Sequence, residues 1–309
     1  MNEFDLIRDY FTWPIKDPSI VLGVGDDAAL FNLDHGYQLV TTTDTLVEGV
    51  HFSESTSAKD IAHKSLAVNL SDIAAMGAKA KYFTLALSIP KIDKSWLQKF
   101  SDSLRHLSEQ YDVSLVGGDT TRGPLNITIT MIGMVESSKA LTRSGARPGD
   151  GVYVSGTIGD AGFCFWKLSN DLIPSNHELK RLNCPRPRVE LGLAIKNLAS
   201  SCIDISDGLE QDLSHILRAS SVGAVIEVEK IPISEALFDH IKDTNDWSIP
   251  LCGGDDYELC FTIPEGNDED LNFFSKSCNV KITKIGIINE ALGLQIVGFD
   301  GPRKSYQHF

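Results

Sequence analysis

Residues 58–89 read AKDIAHKSLAVNLSDIAAMGAKAKYFTLALSI. From Ala58 to Met76 the apolar residues fall at helical spacing, Gly77 supplies a stop, and Tyr82–Ser88 follows as a strand-like run. A helix that hands over to a strand is the local unit of a mixed α and β protein, and the alternation continues in both directions. Strands are expected at Ile20–Val24, Gln38–Thr43, Ile127–Val135, Val152–Ser155, Ile203–Ile205, Ala224–Val228 and Leu259–Ile263, and helices at Ser95–Tyr111, Val189–Ser200 and Gly208–Ser220. Ser137–Gly151, SSKALTRSGARPGDG, is poor in bulky apolar residues and rich in turn formers, which places a domain boundary near residue 137.

The 309 residues suffice for two domains of about 150 residues each without disulfide staples. Acids outnumber bases 42 to 28, a formal charge of −14 at pH 7, which argues against a general nucleic-acid binder. With 42% hydrophobic and 23% charged residues, the composition is that of a folded protein and not of a disordered chain. No basic leader with an apolar core opens the sequence and no run reaches about 18 apolar residues, so the expected location is the cytoplasm, with no membrane partner. The six cysteines form no CxxC pair and read as reduced, buried apolar filler.

Of the 42 acids 27 are Asp, a residue that favours turns, caps and metal sites over solvated helix faces. Five stretches repeat one setting, an apolar run followed by a small-residue turn bearing the acid: VLGVGDDAA with Asp26 and Asp27, LVTTTDT with Asp44, SLVGGDTT with Asp119, CIDISDGL with Asp204 and Asp207, and LCGGDDYEL with Asp255 and Asp256. Any one of them alone reads as a helix cap; five together point to an edge of sheet that binds ligands. Asp72 differs, because it stands inside an apolar helix among Ala67, Leu70, Ala74, Ala75 and Met76. It is either on a solvated face or held by a cation, and the crowding favours the cation. Oxygen-only ligands select Mg2+ or a similar hard ion. The chain has no GxxxxGKS/T phosphate loop, and two carboxylates in GVGDDA would repel a pyrophosphate unless a cation stood between them. Arg122, Arg143 and Arg147 are available to phosphate oxygens.

In this order the motifs resemble the thiamine-monophosphate kinase family of the aminoimidazole-ribonucleotide-synthetase-like superfamily. The likeness runs through GVGDDAA (23–29), TTDTLVEGVHF (42–52), NLSDIAAMGA (69–78), VGGDTTRGP (116–124), LTRSGARPGD (141–150), IDISDGLEQDL (203–213), GGDDYEL (253–259) and the terminal YQHF. It implies an α/β fold of the α+β type with two domains. Residues 1–137 would bind ATP and Mg2+ and pair with a second subunit in a dimeric barrel, and residues 138–309 would complete the nucleotide and substrate site. It implies several Mg2+ ions held by Asp27, Thr42, Thr43, Asp44, Asp72, Asp119, Asp204 and Asp207, with ATP touching Gly118, Asp119, Arg143 and Ser206. His51, Asp255 and Tyr306 would contact thiamine monophosphate; read without the resemblance, His51 is an ordinary surface histidine and Tyr306 a frayed terminus.

The implied reaction is ATP plus thiamine monophosphate giving ADP plus thiamine diphosphate, the final step of thiamine diphosphate biosynthesis, in a homodimer. A phosphate monoester, with its second pKa near ~6, is already ionised at neutral pH, so no catalytic base is expected. Two rivals remain at this stage. One is another ATP-using member of the superfamily, although the selenophosphate-synthetase type calls for a reactive Cys near the amino terminus and none precedes Cys164. The other is a sensor that binds Mg-ATP without turnover.

Overall fold

The computed structural model describes residues 3–14, 16–22, 30–31 and 35–303. Its first part holds helix α1 (Glu3–Phe11), strands β1 (Ile20–Leu22), β2 (Leu30–Phe31) and β3 (Tyr37–Val47), helix α2 (Ala58–Ala75), strand β4 (Lys79–Ile89), helix α3 (Lys94–Gln110) and strands β5 (Ser114–Arg122) and β6 (Asn126–Glu136). The second part runs β7 (Gly151–Ser155), α4 (Asp160–Ser169), α5 (Asn176–Asn183), α6 (Val189–Ile195), β8 (Ser201–Asp204), α7 (Leu209–Ser220), β9 (Gly223–Glu227), α8 (Glu235–Thr244), α9 (Ser248–Cys252), β10 (Leu259–Ile263), α10 (Asp268–Ser277), β11 (Ile282–Asn289) and β12 (Gly293–Val297). The chain divides into two compact units, Met1–Ile73 with Ala78–Ser138, and Ala74–Gly77 with Lys139–Phe309.

The first unit is built on a four-stranded sheet in the order β3-β6-β4-β5. β3 and β4 both run antiparallel to β6, while β5 runs parallel to β4, a pairing that requires the crossover supplied by α3. Period-two alternation gives β6 one fully buried face, Ile127, Ile129 and Met131, and one face carrying Thr128 and Thr130. α2 is buried almost all round, with Leu66, Leu70 and Ile73 at zero exposure. Ile73 packs 3.2 Å from where a Cβ on Gly133 of β6 would stand. Asp93 caps α3 by accepting the N–H groups of Ser95 and Trp96.

A six-stranded sheet in the order β12-β9-β11-β7-β10-β8 organises the second unit, all antiparallel except β12 with β9. Every residue of β7, β8 and β10 is buried. Val152, Val154, Ile203 and Cys260 from these strands pack with Leu209, Leu213 and Ile216 of α7 in one core.

Three local expectations are corrected. SLVGGDTT does not turn after its apolar run; β5 continues through both glycines to Arg122, because Gly118 adopts a φ of 153° that brings it against Leu85 of β4. A Cβ at Gly118 would stand 1.9 Å from the Leu85 carbonyl oxygen. Likewise β3 does not stop at Thr43 but passes through Asp44 to Val47. Helix α6 ends at Ile195, five residues before the expected end. The segment from Lys139 onward also belongs to packed structure: Leu141 donates its N–H to the Met76 carbonyl at 3.0 Å, Thr142 accepts from Cys202 at 3.0 Å, and Ala146 is buried. None of the six cysteines is in a disulfide, and Cys164, Cys202, Cys252 and Cys260 are buried.

Candidate active site

Residues i and i+2 of a strand share a face, so Thr42 and Asp44 of β3 look the same way, toward Asp72 on α2. The Thr42 hydroxyl donates to Asp72 Oδ2 at 2.5 Å. The Asp44 carboxyl is pushed up to about 7, first by burial and then by the charge of Asp72 and a hydrogen bond with it. Two carboxylates this close cannot both ionise cheaply unless a cation joins them. Among the described residues no group of three or more His, Cys, Asp and Glu chelates an ion by itself. The donors assembled here are two carboxylates and a hydroxyl, an oxygen set suited to a hard divalent ion. Asp26 and Asp27 lie outside the described residues.

Thr43 takes the opposite face of β3, where its hydroxyl meets that of Thr130 at 2.9 Å; the structure does not bring this hydroxyl to Asp44 and Asp72. Asp119 stands in register with Ala86, Thr128 and Thr45, which puts it on this threonine face too. Three strand spacings, roughly 14 Å, separate it from β3 within its own sheet. Gly118 sits beside it in the row of Leu85, Ile129 and Asp44.

His51 follows β3 on the turn Glu48–Phe52, where its N–H donates to the Val47 carbonyl at 2.9 Å. Its Nδ1 accepts the Val47 N–H at 3.0 Å, which in a neutral ring puts the proton on Nε2. Lys64 of α2, only 2% exposed, donates from Nζ to the His51 carbonyl at 3.1 Å. The sequence reading missed Lys64, although the signal matched that of Asp72: a charge embedded in an apolar helix.

In the second unit the buried Asp204 ends β8, and Ser206 and Asp207 form the turn before α7. That turn wraps around one buried carboxylate, since Asp212 Oδ2 accepts the N–H groups of Ser206, Asp207 and Gly208 at 3.0, 3.0 and 3.1 Å. Burial, followed by the charge of Asp207, pushes the Asp212 carboxyl up to about 7 against those three donors. The Asp255 segment is stitched alongside, its N–H donating to the Ser206 carbonyl at 2.8 Å. Gly254 permits the approach, because a Cβ there would lie 2.2 Å from the Ser206 oxygen. Arg143 is held through its backbone, with its carbonyl accepting from Ser220 Oγ at 3.2 Å, while its side chain is exposed. His215 links this group, its pKa lowered by burial and then by Arg218 and Arg143, with Asp207 opposing. Asp204, Ser206, Asp207, Arg143 and Asp255 therefore gather in one unit, whereas Tyr306 lies outside the described residues. Asp212, which shapes the turn, was within a quoted motif but had been given no role.

No helix among the described residues is long and apolar enough to cross a membrane. The two halves match, in order, the N-terminal domain of AIR synthase related proteins over residues 25–135 and the C-terminal domain of the same proteins over residues 147–297. A thiamine-monophosphate kinase of Haemophilus influenzae is 46% identical over 298 residues, covering 95% of this chain and 91% of that protein. The crystal structure of thiamine-monophosphate kinase from Stenotrophomonas maltophilia superposes with a TM-score of 0.88 at 41% identity, covering 95% of both chains. A solved complex of AaThiL with AMPPCP and TMP superposes with a TM-score of 0.80 at 30% identity, covering 99% of this chain and 96% of that one. With identity of this order along the whole length and both domains in place, the chain belongs to the thiamine-monophosphate kinase family, a family of two-domain α/β kinases within the AIR synthase related proteins.

Proposed function

We propose that the chain moves the γ-phosphoryl group of ATP directly onto the phosphate of thiamine monophosphate, giving ADP and thiamine diphosphate, with Mg2+ held by its carboxylates. The observation that carries the metal reading is the Thr42–Asp44–Asp72 cluster, where one carboxyl stays protonated up to about 7 in the absence of a cation. The AaThiL complex with AMPPCP and TMP supports the same pair of substrates.

Asp44, Asp72 and Thr42 would hold Mg2+ on the helix face of the first sheet, joined by Asp27, while Asp204 and Asp207 would do so in the second unit. Bound there, Mg2+ neutralises phosphate charge and draws together two polyanions that otherwise repel. The side chains would do the rest: Arg143 would offer a fork of donors to phosphate oxygens, Ser206 a polar contact to ATP, and His51 a contact to thiamine monophosphate. Asp255, with Tyr306, would bind the thiamine moiety, a carboxylate and an aromatic face being suited to a cationic ring. The acceptor oxygen is already ionised, so no residue need remove a proton from it.

Asp119 and Thr43 fit this reading through a second copy of the chain. β3 and β5 are the two edges of the first sheet, and joining the β3 edge of one copy to the β5 edge of another would carry Asp119 and Gly118 alongside β3, with Asp119 on the face of Thr43. We place the protein in the cytoplasm as such a homodimer.

The test is chromatography of thiamine diphosphate after mixing protein, ATP, Mg2+ and thiamine monophosphate, with thiamine alone as a second acceptor. Diphosphate from the monophosphate only is the expected outcome. Product from thiamine alone would show that the acceptor has been misread.

A further inference from the structure

The segment Gly253–Glu258, GGDDYE, combines two features that ordinary turns do not. Asp255 and Tyr257 both have left-handed backbones, at φ of 69° and 51°, a region that non-glycine residues seldom occupy and large ones least of all. Such a conformation persists only where its surroundings determine it, and here they are visible on both sides.

On one side, Asp256 and Glu258 are 1% and 0% exposed and enter a cluster of charges. Asp256 Oδ2 accepts the Gly159 N–H at 2.8 Å. Arg188 forks onto Glu258, with Nε 2.6 Å from Oε2 and Nη2 2.5 Å from Oε1. Arg181 spans Asp160 at 3.5 Å, Asp256 at 4.0 Å and Glu258 at 3.4 Å. Backbone bonds then set the spacing: Asp255 N–H to Ser206 O and Tyr257 N–H to Ile205 O, both at 2.8 Å, with the Ile205 N–H returning to Glu258 O at 2.8 Å. On the other side the intervening residues meet each other, and the Tyr257 hydroxyl donates to Asp255 Oδ1 at 2.9 Å.

We propose that Tyr257 is a positioning residue for thiamine monophosphate: its hydroxyl fixes the Asp255 carboxylate beside the Ser206–Asp207 turn, while the half-buried Arg181 and Arg188, clustered on the buried Asp256 and Glu258, hold the left-handed backbone that makes the contact. The inference rests on the reading of Asp255 as a substrate contact and goes beyond it by naming what orients that carboxylate. A carboxylate on a free rotor spreads its charge over several places; one held by an O–H donor keeps its plane and its charge where a cationic heterocycle or its amino group meets it. Tyr257 is only 8% exposed, so its ring is packed and the contribution of its hydroxyl has to be separated from that packing.

Tyr257→Phe keeps the ring and removes only the donor. The full-length enzyme carrying it is expected to show a KM for thiamine monophosphate raised about 3- to 10-fold, with kcat and the KM for ATP within about twofold and the melting temperature near that of the parent. Asp255→Asn should raise the same KM, and the double variant should be no worse than Asp255→Asn alone, because the two groups act as one. If Asp255→Asn raises that KM and Tyr257→Phe does not, or if their effects multiply, the positioning role is overturned. A rise in both KM values with a fall in melting temperature would make Tyr257 a packing residue and overturn it too. An Asp255→Asn variant with unchanged KM would instead remove the substrate reading of Asp255, and the inference with it.

Discussion

Asp72 carries the metal reading because it is half-buried on an otherwise apolar helix, while Asp44 and Thr42 converge on it from β3. Asp72→Asn removes one charge at nearly constant shape and is expected to lower kcat by at least about two orders of magnitude with an unchanged circular dichroism spectrum. A turnover near that of the parent would remove Asp72 from the site. The same carboxylates set a pH dependence. The folded pKa values of Asp44 and Asp212 are raised to about 7 from an ordinary 3.8, so the folded chain binds protons more tightly than the unfolded chain. Their contribution to stability is complete below the ordinary value and is lost as pH rises through about 7. Metal-free protein should thus melt at a higher temperature at pH 5 than at pH 8, and added Mg2+ should restore the Asp44 part of the loss at pH 8 while leaving the Asp212 part, both readable by scanning calorimetry. A metal-free melting temperature that climbs from pH 5 to pH 8 would contradict the shared-proton picture.

At the scale of elements, the turn between β8 and α7 depends on Asp212, whose one oxygen collects three backbone donors. Asp212→Ala leaves those N–H groups unpaired and is expected to cost about 2–3 kcal/mol in urea denaturation, with weaker ATP binding as Ser206 and Asp207 lose their frame. Undiminished stability would mean the turn holds itself. Elements with a strong local period were legible in the sequence: α2 lies at Ala58–Ala75 against an expected Ala58–Met76, and α7 at Leu209–Ser220 against Gly208–Ser220. β5 was not, because its glycines look like a turn until β4 is present for them to pack against. Site residues follow the same division. Asp72 and Asp44 announce themselves through their neighbours in sequence. The separation of Thr43 from Thr42 follows from strand alternation alone, whereas the tie between Tyr257 and Asp255 depends on a left-handed backbone held by Arg181 and Arg188, residues about 70 positions away in the chain.

For the whole molecule, the proposed dimer makes the site a property of two chains. Inactive Asp44→Asn and Asp119→Asn proteins, unfolded together and refolded as a mixture, should regain about a quarter of parental activity, since half the dimers would hold one site with both carboxylates intact. No recovery in a mixture shown by sedimentation to contain dimers would place both residues in one subunit's site. The two-domain order and the kinase family were legible because the motifs recur along the entire chain; the dimeric barrel came only from the resemblance, because no local pattern records which sheet edge would meet which. The account's central claim is direct, metal-dependent transfer between two phosphates. Rapid-quench chromatography with ATP labelled in its γ-phosphate tests it most directly: label should pass to thiamine diphosphate only when Mg2+ is present, with none on the protein at any time. Label on the protein before product, or the same transfer rate without a divalent ion, would contradict it.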